Sequence, residues 1–264
     1  MAKKRRDTNK YAAIVERVFR DRWKDGLQQF EFERDAISDT ARKLKIDLPK
    51  NLGDVIYSLR YRSDFPESIL RTQPKGKEWI IEGAGRAKYR FRLVSATRIL
   101  PRTDLAEIAL PDATPEVIAK YALGDEQALL AIVRYNRLID TFLGLTTYSL
   151  QNHLRTSVRG VGQIEIDELY VGLDRHGSHY IIPVQAKGGR DQIGSTQTNQ
   201  DFSFADEKFP GMKCRAVAAQ FLPNGTVVLF ELTVQKSEVK VVDEKHYKLV
   251  PSSELDDGIV RTYR

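Results

Sequence analysis

Residues 163–189 read QIEIDELYVGLDRHGSHYIIPVQAKGG, a pattern that two adjacent strands joined by a tight turn satisfy. Over 163–173 the side chains alternate: Ile164 and Ile166 point one way, Glu165 and Asp167 the other. Asp174, His176, Gly177 and Ser178 supply turn chemistry. The second strand, 180–187, ends with Gln185 and Lys187 on one face and Ala186 on the other. A hairpin of this register brings Asp167 toward Gln185 and Lys187. A carboxylate and an amide oxygen are hard ligands suited to Mg²⁺, and a neighbouring ammonium can orient water or offset phosphate charge. A solvated polar strand face is the plain alternative.

Asp167 followed by Gln185-Ala186-Lys187 on the next strand resembles the signature of the PD-(D/E)XK nucleases, found in many restriction endonucleases, resolvases and repair nucleases. The resemblance implies that Asp167 bridges the metal, that Gln185 stands at the second acid position and that Lys187 is the catalytic lysine. The family usually carries Asp or Glu where this chain has Gln185, and Glu165, on the same face as Asp167, is the residue able to supply the missing charge. The implied cofactor is Mg²⁺, with Mn²⁺ as substitute.

The surrounding pattern extends the resemblance. A helix is expected over 125–143, strands over 148–158 and through the hairpin, a helix over 201–208, and strands over 215–222 and 226–234 around Pro223-Asn224-Gly225. That order is similar to the αβββαβ core of the nuclease family. Glu126 is an acid in the first turn of the helix before the sheet, where it also favours the helix dipole. The polar run 192–200 follows the lysine, and Gln197 within it is a candidate contact to DNA.

Charge divides the chain. Residues 1–100 hold 24 Lys and Arg against 14 Asp and Glu, a net of +10, whereas the other 164 hold 18 against 22, a net of −4. A polyanion-binding module joined to a domain with different work is expected. Helices are expected over 10–23, 32–44 and 51–62, and strands over 78–81 and 89–94 around the GAGRAK turn. Three helices and a basic hairpin resemble a winged helix-turn-helix domain. That resemblance implies double-stranded DNA as partner, Asn51, Arg60 and Arg62 on the reading helix, and Arg86, Lys88, Arg90 and Arg92 on the wing.

The expected architecture is therefore mixed α+β: a winged-helix-like domain over 1–98, a proline-rich linker over 99–115 and a nuclease-like domain over 116–264. The expected activity is that of a type II restriction endonuclease cutting duplex DNA, with a homodimer to cut both strands. The alternative is a DNA-binding regulator whose nuclease-like domain is inactive and dimerises. No apolar run is long enough to span a bilayer and the basic start has no hydrophobic segment behind it, so a cytoplasmic protein away from membranes is expected. The single cysteine, Cys214, excludes an intramolecular disulfide and cysteine-cluster metal sites. There is no GxxxxGK[ST] or GxGxxG loop, so no nucleotide cofactor is expected, and no HExxH.

Overall fold

The computed structural model describes residues 2–49, 52, 55–56, 65–85, 87–95, 99–121, 126–188, 193–235, 238–255 and 258. The chain divides into two compact units, Met1–Ala96 with Arg159–Gly162, and Thr97–Val158 with Gln163–Arg264. Both mix helix and strand. No helix among the described residues is long and apolar enough to cross a membrane.

The first unit runs α1 (Ala2–Arg20), β1 (Gln29–Glu33), α2 (Asp35–Leu44), a short α3 (Glu67–Leu70), β2 (Lys77–Gly83) and β3 (Lys88–Ser95). The three strands form an antiparallel sheet ordered β1-β3-β2. Its core joins Ile14, Val18 and Phe19 of α1 to Phe32, Trp79, Ile81 and Phe91 of the sheet. The Phe19 ring meets Phe91 edge-on at 5.1 Å and Trp79 at 5.3 Å, a favourable aromatic geometry. Trp79 Nε1 donates to Thr72 Oγ1 at 2.8 Å, so the buried indole keeps its hydrogen bond.

The helix expected over 32–44 starts later, at Asp35, because QFEFE obeys a two-residue period. Phe30 and Phe32 pack inward while Glu31 and Glu33 face out, so pairing with β3 wins over helix propensity. Of the helix expected over 51–62, Val55 and Ile56 are helical and buried in this core. Asn51, Arg60 and Arg62 lie outside the described residues, as does Arg86.

The second unit is built on an eight-stranded mixed sheet ordered β4-β11-β10-β9-β7-β6-β5, with β8 also on β7. These are β4 (Glu107–Pro111), β5 (Thr146–Val158), β6 (Gly162–Leu173), β7 (His179–Gly188), β8 (Lys213–Cys214), β9 (Ala216–Phe221), β10 (Thr226–Gln235) and β11 (Glu238–Val250). Its helices are α4 (Glu116–Tyr121), α5 (Glu126–Tyr135), α6 (Leu138–Leu143) and α7 (Ser195–Lys208). β6 and β7 are antiparallel, while α7 carries the chain over to β9, parallel to β7, as such a crossover requires. The order from α6 is thus helix, three strands, helix, strands, with α5 preceding it.

Two apolar layers cover the sheet. Leu130, Val133, Leu138 and Ile139 of α5 and α6 pack on Tyr170, Ile182, Val184 and Leu229. On the opposite face Phe202 of α7 joins the cluster of Ala216, Ala218, Val228 and Phe230. Alternate residues of β9 and β10 therefore serve opposite layers.

Three expectations change here. The helix expected over 125–143 is two, broken where Arg137 takes φ 49°. Asn136 explains the break: its side chain accepts from Ala113 N–H and donates to Thr114 Oγ1, and its bond back to Ile132 O competes with the helix. The second helix begins at Ser195 rather than 201, so most of the polar run is helical. Residues 99–115, expected as a linker, hold β4, which pairs with β11. The 13-residue β11 was not anticipated.

Candidate active site

Three elements converge on one face of the sheet. The β6–β7 register sets Glu168 opposite Val184, which places Asp167 beside Gln185, both pointing away from the α5–α6 layer. The parallel register then sets Gln185 next to Ala218 of the α7-side core. This face of β6 and β7 is where α7 packs. The expected convergence of Asp167, Gln185 and Lys187 is present in this register.

Asp167 is 8% exposed, and its Oδ2 accepts the backbone N–H of Ala186 at 2.9 Å. Burial pushes its carboxyl above the usual range, against the lowering effects of that N–H and of Lys187, while Glu165 raises it further. Gln185 is buried, and its Nε2 donates to both carboxylate oxygens of Asp201, at 3.1 and 3.3 Å. Gln197 Nε2 in turn donates to Gln185 Oε1 at 3.4 Å. Gln197, a candidate contact to DNA, is thus a half-buried helical residue at the back of the site.

Asp201 is the residue that the sequence reading missed. It lies on α7, is 2% exposed, and burial holds its carboxyl well above the usual carboxylate range. Gln185 lowers it, Asp167 raises it and Lys187 lowers it. A signal was available: Gln197 and Asp201 stand four apart, on one face of a helix. Starting the expected helix at 201 hid that spacing.

Two nearly buried carboxylates, Asp167 and Asp201, thus stand with Lys187 on the same sheet face. A site of this kind suits a hard divalent cation, which binds through one or two carboxylates and completes its shell with water and phosphate oxygens. Among the described residues no group of three His, Cys, Asp or Glu is arranged to hold a metal. Glu165, half-buried on the same face, is engaged by His153 Nε2 at 3.3 Å and Arg155 Nε at 3.4 Å. Glu126 is the first residue of α5, its side chain outside the described residues.

On the other face Glu168 is fully buried, its Oε1 accepting from Arg134 Nε at 2.8 Å and Ser149 Oγ at 2.7 Å. Cys214 is half-buried on β8, and burial pushes its thiol up, which disfavours a thiolate nucleophile.

In the first unit Lys88 is exposed, but Arg90 and Arg92 are engaged. Arg90 pairs with Glu31 at 2.7 Å and Glu82 at 3.5 Å, and Arg92 holds Glu82 at 2.9 Å. Both lie across the strands, as cross-strand pairs do.

No family model, curated protein or solved structure matches the chain.

Proposed function

We propose that the chain is a Mg²⁺-dependent endodeoxyribonuclease of the PD-(D/E)XK kind acting on duplex DNA, as a type II restriction enzyme does. The observation that carries this reading is the pairing of Asp167 with Asp201 beside Lys187, the two carboxylates coming from β6 and α7 of a helix–three-strand–helix–strand order. Asp201 supplies the carboxyl group that Gln185 lacks, and Gln185 fixes it through two hydrogen bonds. When bound, Mg²⁺ would supply Lewis-acid polarisation of the phosphate and a more acidic water. Asp167 and Asp201 would hold the ion, and Ala186 N–H keeps the Asp167 carboxylate oriented. Lys187 places an ammonium where it orients the attacking water and offsets phosphate charge. The water oxygen forms a bond to phosphorus, the ester P–O bond breaks, and the departing oxygen leaves as a hydroxyl.

For the first unit, winged-helix DNA binding is supported by the α1-β1-α2 order, the helical Val55 and Ile56, the β2–β3 hairpin and the +10 charge of residues 1–100. With Arg90 and Arg92 in ion pairs, Lys88 is the described wing residue most open to phosphate. A homodimer is the assembly that cutting both strands implies.

The second reading, a DNA-binding regulator with an inactive domain, is favoured by the amide at Gln185. Incubation of the full chain with supercoiled plasmid and phage DNA separates the two. Nicked or linear product with Mg²⁺ or Mn²⁺ and none with EDTA is expected. Lys187→Ala should slow cleavage by about 10²–10⁴-fold, the range for a positioned proton-transfer group, while duplex binding is retained. Intact DNA at every metal concentration, with tight duplex binding, would establish the regulator instead.

A further inference from the structure

Edge strand β5 changes face along its length. Near its start Ser149 Oγ donates to Glu168 Oε1, on the side covered by α5 and α6. Further on, Arg155 Nε lies 3.4 Å from Glu165 Oε2. Glu165 and Glu168 are three residues apart on β6 and so lie on opposite faces of the sheet. Ser149 and Arg155 are six apart, and an unbroken strand would put them on the same face. The alternation therefore slips by one residue between them.

His153 lies in that interval with φ 51°, a left-handed conformation that costs a non-glycine residue strain. Slips of this kind re-aim side chains and recur beside active sites. Here the slip turns two basic side chains, His153 and Arg155, onto the face that carries Glu165 and Asp167. The His153 side chain is 48% exposed and that of Arg155 53%, so both can reach solvent while Glu165 steadies them.

We infer that His153 and Arg155 form a phosphodiester-binding pair, holding a backbone phosphate of the nucleic-acid strand that lies across Asp167 and Asp201. Resting on the hydrolytic reading of those carboxylates, the assignment identifies the edge along which the substrate strand approaches. A guanidinium presents a planar pair of donors matched to phosphate oxygens, and an imidazole adds a third donor. Glu165 occupies those donors in the free protein and yields them to the phosphodiester, whose two non-bridging oxygens face the guanidinium fork.

The test uses the full chain with Arg155→Gln and His153→Gln, singly and together, on a plasmid that the wild type cuts. Each single change should raise KM by about tenfold and leave kcat within about threefold, since a ground-state contact is lost rather than one made only in the transition state. Unchanged KM in the double variant would overturn the pair. A second readout needs no cleavage: in EDTA, a short duplex should shift the Arg155 Nε–H NMR signal, and its affinity should fall in Arg155→Gln. If the wild type cuts DNA but neither KM nor that signal responds, the pair is wrong and the hydrolytic reading stands. If the wild type never cuts but the signal and affinity respond, the pair stands and hydrolysis falls.

Discussion

Asp201→Asn is expected to abolish metal-dependent cleavage and, in the same molecule, to raise thermal stability. The loss of rate should exceed about 10²-fold, since even residues that merely support a metal ligand cost 10–100-fold when replaced. The gain has a separate cause. Burial disfavours the Asp201 carboxylate and the Asp167 charge adds to the effect, so its folded-state pKa is raised well above the ordinary value. A raised pKa contributes stability that is complete below the ordinary carboxylate range and is lost as pH rises through the elevated value. Above the ordinary carboxylate range the wild type therefore loses stability that an uncharged side chain keeps. Asparagine retains an oxygen to accept from Gln185 Nε2 and carries no charge. We expect it to add about 1–2 kcal/mol near pH 7, a usual size for a stabilising replacement. Melting curves from pH 4 to pH 8 check the sign: the gap between variant and wild type should widen as pH rises. Mg²⁺ should narrow it by stabilising only the wild type. A variant less stable than wild type across that range would remove the buried-charge argument.

Arg134→Met should cause the largest loss of stability, roughly 3 kcal/mol, because it leaves the fully buried Glu168 without its cation. The figure sits at the low end for a buried pair because the Arg134 side chain is 36% exposed and partly screened. Methionine keeps the apolar length of the arginine stem, so the cost isolates the charge. Urea unfolding measures it. Adding Glu168→Gln should recover most of the loss, since the two positions share one interaction and are not additive. Equal losses in the single and double variants would show that packing, not charge, is at stake.

Asp167 and Asp201 mark where the sequence is readable and where it is not. Asp167, Gln185 and Lys187 were legible because strand periodicity is strict: a residue's face follows from counting by two. Asp201 was not, because α7 buries Ser195, Thr198, Gln200 and Asp201 along with Phe204 and Ala205. A helix whose inner face is polar has no apolar stripe to reveal it. The break between α5 and α6 was hidden for a related reason. It depends on the hydrogen bonds that Asn136 accepts from Ala113 N–H and donates to Thr114, more than twenty positions away, not on any local glycine or proline. The late start of α2 was readable in principle, since QFEFE alternates, but the period there runs for only five residues. Half of the candidate site thus follows from local pattern and half from a crossover helix whose inward face only tertiary packing defines.

The central claim is that Asp167 and Asp201 together hold one divalent cation at the hydrolytic site. Titration of Mn²⁺ into the full chain with a duplex bearing non-hydrolysable linkages, following the free ion by electron paramagnetic resonance, tests it directly. One equivalent bound per wild-type chain is expected, with binding lost in Asp167→Ala and in Asp201→Asn while both variants still bind the duplex. Equal Mn²⁺ uptake by all three proteins, or none by the wild type, would contradict it.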